Sequence, residues 1–231
     1  LAALTATGQK KYQQGFAPLP EGFKTARFND IESVRGLVTD KTVAVMLELI
    51  QGEGGVNVAE SDFVLSLRKL CDEKKMLLIV DEVQTGIART GKMFCYQNYC
   101  ITPDIMTLAK ALGGGLPIGV MVAGKNIADT LTAGTHASTF GGSPLVSKAA
   151  LAVLQAVKKE KILHKTVKSG EYLFFRLNEL KKKYPVIKEV RGLGLMLGVE
   201  LAREGKPVVE KCMEKGLLIN CTHDTVLRLM P

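Results

Sequence analysis

The stretch MLLIVDEVQTGIARTG, residues 76–91, decides how the chain is read. Leu77, Leu78, Ile79 and Val80 continue an apolar run that starts at Met76 and ends at Asp81, the pattern of a strand buried on both faces. Asp81 and Glu82 follow at once. Ionised carboxylates beside a core are costly unless a cation needs them there.

Outward from this run the pattern repeats. VAVMLEL (43–49) reads as a strand and is followed by the turn QGEGG. Ser61 or Asp62 is placed to cap a helix running to about Lys74, with Phe63, Leu65, Leu67 and Leu70 on or near one face. DIMTLA (104–109) and IGVMVAG (118–124) are further strands, separated by the loop KALGGGLP. Strand and helix in alternation predict an α/β fold with a mostly parallel central sheet. Pro144 to Lys183 has helical period, with a break expected near Gly170 and a start at Ser143–Pro144. IKEVRG, LGLMLGVEL (193–201), a helix over 205–215, LLIN and VLRLM then suggest a smaller α+β unit. Residues 1–155 are expected to form a large domain and 156–231 a small one. The chain opens at Leu1 in mid-pattern and stops at Pro231 just after a strand, so both domains are expected to be incomplete.

Composition narrows the class. With 231 residues, 46% of them hydrophobic, the chain is long enough for one large or two modest domains. No apolar run reaches a membrane span and no secretory signal opens the chain. Cys71, Cys95, Cys100, Cys212 and Cys221 are odd in number and lack CxxC spacing, so they read as reduced thiols of a cytoplasmic protein. The net charge of +8 comes largely from runs such as KKEKILHK (158–165) and KKKYP (181–185), which suit solvated helix faces better than a nucleic-acid surface.

Three motifs compete for the chemistry. LLIVDE and GVMVAGKN (119–126) together resemble a nucleotide hydrolase. However, Asn126 stands where a hydroxyl should bind magnesium, and the supposed phosphate loop follows the acidic strand instead of preceding it. RGLGLMLG (191–198) has glycines, but not at the dinucleotide-turn spacing. His136, His164 and His223 lie too far apart for a metal site.

The third is a pair. Lys110 follows the strand DIMTLA, as Asp81 ends the strand LLIV, and ligands of open α/β sheets bind outside the carboxyl ends of the strands. Taken alone, Lys110 is a strand-end lysine facing water. Taken together, the two match what pyridoxal phosphate requires. The cofactor needs an amine to condense with its aldehyde and a carboxylate to keep its pyridine nitrogen protonated. That pyridinium is a cation that justifies Asp81. Val83 would then lie against the ring face and Gln84 near the ring's phenolic oxygen.

These residues sit in a wider resemblance. LELIQGEGGVNV, LLIVDEVQTGIARTG, PDIMTLAKALGGGLPIG, HASTFGGSPL and VRGLGLMLGVEL resemble, in order and spacing, the class III (subgroup II) aminotransferases of the fold type I pyridoxal-phosphate enzymes. TATGQKKYQQGFAPLPEGF is similar to their acetylornithine branch. The resemblance implies a mostly parallel central sheet with helices on both faces and a small C-terminal α+β domain. It implies Lys110 as the catalytic lysine and proton carrier, with Asp81, Val83 and Gln84 on the cofactor ring. Ser138 and Thr139 would reach the cofactor phosphate of a neighbouring subunit, hence a homodimer with shared active sites. Arg228 would bind the substrate α-carboxylate, and Glu53 would neutralise that arginine or meet the substrate amine.

The implied reaction passes the amino group of N2-acetylornithine to 2-oxoglutarate, a step of arginine biosynthesis. Ornithine, succinylornithine, 4-aminobutyrate or lysine 6-amino transfer are alternatives. A non-catalytic interaction domain is the alternative from another class. Leu49 stands where the family usually has Pro, and Ala88 where Gly is frequent. The family's Gly-rich phosphate turn, ring-stacking aromatic residue and second carboxylate-binding arginine are absent, so these residues by themselves are expected to bind the cofactor weakly and to lack activity.

Overall fold

The computed structural model describes all 231 residues, Leu1–Pro231. Three short helices come first, α1 (Ala2–Ala6), α2 (Lys10–Gln13) and α3 (Ile31–Arg35). Then follow strands β1 (Ala44–Glu48), β2 (Ile50–Gln51) and β3 (Asn57–Val58), helix α4 (Ser61–Lys74), and strands β4 (Leu77–Asp81), β5 (Ile105–Leu108) and β6 (Val120–Ala123). Helices α5 (Lys125–Ala128), α6 (Pro144–Lys159) and α7 (Ile162–Lys183) lead to the hairpin β7 (Ile187–Leu193) and β8 (Met196–Leu201). Helix α8 (Lys206–Glu214) and strands β9 (Asn220–Thr222) and β10 (Val226–Leu229) end the chain.

The first sheet has the order β1-β4-β5-β6, parallel except for the antiparallel edge strand β6. The alternation of each strand sorts its residues onto two faces. Leu78 and Val80 of β4 and Met106 and Leu108 of β5 are buried on one face. There α4 supplies Phe63, Val64, Leu67 and Leu70, and α6 supplies Ala150 and Val157. The opposite face carries Met46, Leu77, Ile79, Ile105 and Met121, and it is less covered: Met46 is 48% and Met121 50% exposed.

The second sheet, β7-β8-β10-β9, is antiparallel throughout. Val190, Leu197, Val199, Leu201 and Leu227 form its core with Leu177 of α7. Met196 and Val226 instead join the core of the first sheet, so the two sheets share packing.

One expectation is corrected. Gly170 does not break a helix, because it lies inside α7. The break falls at Glu160–Lys161, where Lys161 adopts a left-handed backbone (φ +54°). Gly170 is there for close approach. A Cβ at this position would stand 2.6 Å from the carbonyl carbon of Gly194, in the β7–β8 turn.

Candidate active site

The carboxyl ends of β1, β4 and β5 lie side by side, where open α/β sheets have their ligand crevice. Asp81 ends β4 and its Oδ1 accepts the Val83 N–H at 2.9 Å. Asp81 pairs in register with Glu48, the last residue of β1, and with Thr107 of β5. Lys110 starts a 3-10 turn (Lys110–Gly113) just past β5. Its side chain is exposed and its φ is +45°. A non-glycine residue in the left-handed region carries strain on the order of 1 kcal/mol, and such residues gather at functional sites. No ion pair within 4.0 Å engages Lys110 or Asp81.

Asp81 and Glu82 have different fates. Glu82 is 1% exposed, and its carboxylate accepts the Thr85 hydroxyl and the Tyr96 N–H (2.9 Å). Burial raises its pKa against those bonds. Glu82 is therefore a satisfied structural acid that ties the loop after β4 to residues 95–96. Of the two, Asp81 is the one left facing the crevice.

Above the strand ends lies a second group. Arg228 of β10 donates through Nη1 to Glu53 Oε1 at 2.7 Å and to Gln84 Oε1 at 3.2 Å, and through Nε to Asn220 Oδ1 at 3.2 Å. Burial alone would raise the Glu53 carboxyl, but Arg228, Gln84 and Lys110 together hold it below the ordinary range. Gln84 lies close over Gly52, where a Cβ would come within 2.6 Å of its amide, so this contact requires glycine. The QGEGG turn is itself clamped by the second sheet. Arg191 of β7 donates to the Gly55 carbonyl at 2.7 and 3.0 Å, and the Thr222 hydroxyl donates to the Glu53 carbonyl.

Of the sequence-predicted residues, the structure brings together Glu53, Asp81, Val83, Gln84, Lys110 and Arg228. Ser138 and Thr139 stand apart, in an exposed segment where Ser138 Oγ accepts the Gly141 N–H at 3.0 Å. Ala88 has φ +71°, the backbone region in which glycine is favoured. Three contributors escaped the sequence reading. Glu48 was signalled only by being an acid at a strand end, like Asp81; Arg191 and Thr222 had no local signal.

Glu48 is half-buried, and burial, reinforced by Asp81 and Glu53 and opposed by the Gly52 N–H and Lys110, pushes its pKa up to about 7. Three acids, Glu48, Glu53 and Asp81, thus share the crevice with two cations, one of them committed to Glu53. An unpaired acid, an unpaired amine and an excess of negative charge fit a cationic heteroaromatic ring held between Asp81 and Lys110. A depression of about 650 Å³ at the other end of the strands, lined by Arg68, Asp72 and Asp104, has a structural explanation. Arg68 bridges Asp72 (2.7 Å) and Asp104 (2.8 Å), and Asp104 caps the Leu78 N–H.

Comparison with known proteins gives one family. The model described as Aminotransferase class-III matches residues 1–231. The acetylornithine aminotransferase of Methanocaldococcus jannaschii is 52% identical over 231 residues, all of this chain and 58% of that protein. That of Caldanaerobacter subterraneus subsp. tengcongensis is 53% identical over 230 residues, 99% of this chain and 58% of that protein. The solved ornithine aminotransferase of Toxoplasma gondii ME49 superimposes with a TM-score of 0.94 at 36% identity, over 100% of this chain and 56% of that one. The chain thus spans less than two thirds of the length of these relatives. No helix in it is long and apolar enough to cross a membrane.

Proposed function

The chain belongs to the class III aminotransferases, and from that premise we propose that the protein carries out pyridoxal-phosphate-dependent transamination from N2-acetylornithine to 2-oxoglutarate. The products are N-acetylglutamate 5-semialdehyde and glutamate, as in arginine biosynthesis. The observation that carries this reading is the strand-end crevice, with unpaired Asp81 and Lys110 under the Arg228–Glu53 pair. Both curated relatives named above bear the acetylornithine name. The likeness to the Toxoplasma enzyme makes ornithine the second substrate to test.

When bound, pyridoxal phosphate supplies an aldehyde for amines and a protonated ring that draws electrons from the substrate carbon. Asp81 would hold the proton on the ring nitrogen, and Val83 and Gln84 would hold the ring by an apolar contact and a hydrogen bond. Lys110 Nζ would take the proton from the substrate carbon that bears the amine. Arg228 would bind the α-carboxylate through its planar fork once Glu53 releases it, which suits a site that must accept two different substrates in turn.

Ser138 and Thr139, exposed and away from this crevice, would serve the cofactor phosphate of a second subunit in a homodimer. We further divide the chain into a large unit, 1–155, that holds the first sheet and a small one, 156–231, that holds the second, with α6 running across the boundary and Val157, Met196 and Val226 packing on the first. The cytoplasm is the proposed compartment, supported by five free thiols.

Borohydride reduction in the presence of pyridoxal phosphate tests the reading. The label is expected on Lys110, and Lys110→Ala is expected to lose both the label and transamination. A label on another lysine with Lys110 untouched overturns the assignment.

A further inference from the structure

Glu48, Asp81 and Thr107 occupy neighbouring strands in register, Glu48 opposite Asp81 and Asp81 opposite Thr107. Parallel partners project to the same side, and adjacent strands lie about 4.8 Å apart, so the three side chains make a row across one sheet face. Within the chain the row is only partly satisfied. Thr107 Oγ1 is buried without a hydrogen-bond partner. Asp81 has one hydrogen bond, through Oδ1. Glu48 forms no ion pair. A buried hydroxyl normally has a partner, so an orphan beside two acids marks a place where a ligand completes the bonding.

The groups around Glu48 are Asp81 from β4, Glu53 from the turn between β2 and β3, Lys110 from the turn after β5, and the Gly52 N–H. Arg228 reaches it only through Glu53. Burial, with Asp81 and Glu53 beside it, outweighs the Gly52 N–H and the exposed Lys110, and so raises the carboxyl toward neutrality.

We propose that Glu48 is a positioning residue for Asp81: it carries a proton while the crevice holds no cation, and releases it to solvent when a protonated heteroaromatic ring settles on Asp81. The row then passes from one negative charge to two as one positive charge arrives, and the second carboxylate strengthens the grip on the ring proton without touching the reacting carbon. This inference rests on the cofactor reading above.

Two measurements test it without using activity. Carboxyl carbon-13 NMR of the ligand-free chain should show Glu48 titrating near neutral pH in the wild type, and lower in Asp81→Asn, which removes the neighbouring charge and leaves the larger effect of burial in place. Calorimetric titration with pyridoxamine 5′-phosphate at pH 6.5, in buffers of different ionisation heat, should show the wild type releasing roughly half a proton more than Glu48→Gln, as linkage requires. Affinity in Glu48→Gln should fall several-fold at pH 8 and little at pH 6. Glu48 titrating with the ordinary glutamates, or equal proton release by Glu48→Gln, overturns this proposal alone. Equal binding of the ligand by Asp81→Asn overturns the cofactor reading and this proposal with it.

Discussion

Gly170→Ala sets two physical effects against each other, and the structure decides the sign. Gly170 is in the interior of α7, where glycine is about 1 kcal/mol less favourable than alanine, so helix propensity alone makes the substitution stabilising. The added methyl, however, would lie 2.6 Å from the carbonyl carbon and 2.9 Å from the Cα of Gly194. Those atoms are backbone, so no rotamer change relieves the overlap. Nor can the turn retreat. The space beyond Gly194 is filled by Arg89 and Thr90, whose backbone atoms stand 2.7–2.9 Å from where a Gly194 Cβ would be. The Leu195 N–H also donates to the Arg89 carbonyl (3.0 Å), while Arg89 Nη1 donates to the Leu195 carbonyl (3.1 Å).

Overpacking of this kind costs about 3 kcal/mol or more, which leaves a net loss of about 2–3 kcal/mol after the propensity gain. In a chain of this size that lowers Tm by roughly 5–10 °C. Urea denaturation followed by circular dichroism measures it. A variant as stable as the wild type, or more so, refutes the close-packed stack of α7, hairpin turn and loop. Because the same loop begins at Asp81, weaker pyridoxamine 5′-phosphate binding is expected alongside the lost stability.

The remaining predictions concern the site. Arg228→Lys keeps the charge but loses the planar fork, so KM for the oxoacid, whose reacting carbon adjoins its α-carboxylate, should rise about 10- to 100-fold, with a smaller change in kcat, in steady-state assays. Glu82→Ala leaves the Tyr96 N–H and the Thr85 hydroxyl buried without an acceptor, and should cost about 2–4 kcal/mol in denaturant titrations. Glu48 gives a pH signature. Its folded-state pKa, about 7, lies above the unfolded value of 4.5, so the folded chain binds the extra proton and stability falls as pH rises between those values, then levels off. The shift corresponds to about 3 kcal/mol as a ceiling, and to roughly 1–2 kcal/mol after screening by solvent at this half-buried position. Glu48→Gln should remove that slope when urea midpoints are compared at pH 5 and pH 8.

Much of the fold was legible locally. The runs VAVML, LLIV and IMTL became β1, β4 and β5 within a residue or two, and Ser61 to Lys74 became α4, because strand and helix periods are written in neighbouring residues. The α6–α7 break was misplaced because a glycine's local preference for ending a helix is weaker than the packing that places it against Gly194. Asp81 and Lys110 were legible because each ends a strand of the same parallel sheet, so a rule of topology located them. The sequence by itself thus determined the alternation that makes the sheet and the placing of an acid and an amine at its carboxyl edge. Only the tertiary structure decided that Glu82 is satisfied by Thr85 and Tyr96 and that Glu48 stands in register with Asp81. It also decided that Arg191, Thr222 and Arg228 close the QGEGG turn from a sheet more than 130 residues away. Charge–charge coupling depends on separation in space, and strand pairing brings together residues whose distance along the chain carries no trace of that contact.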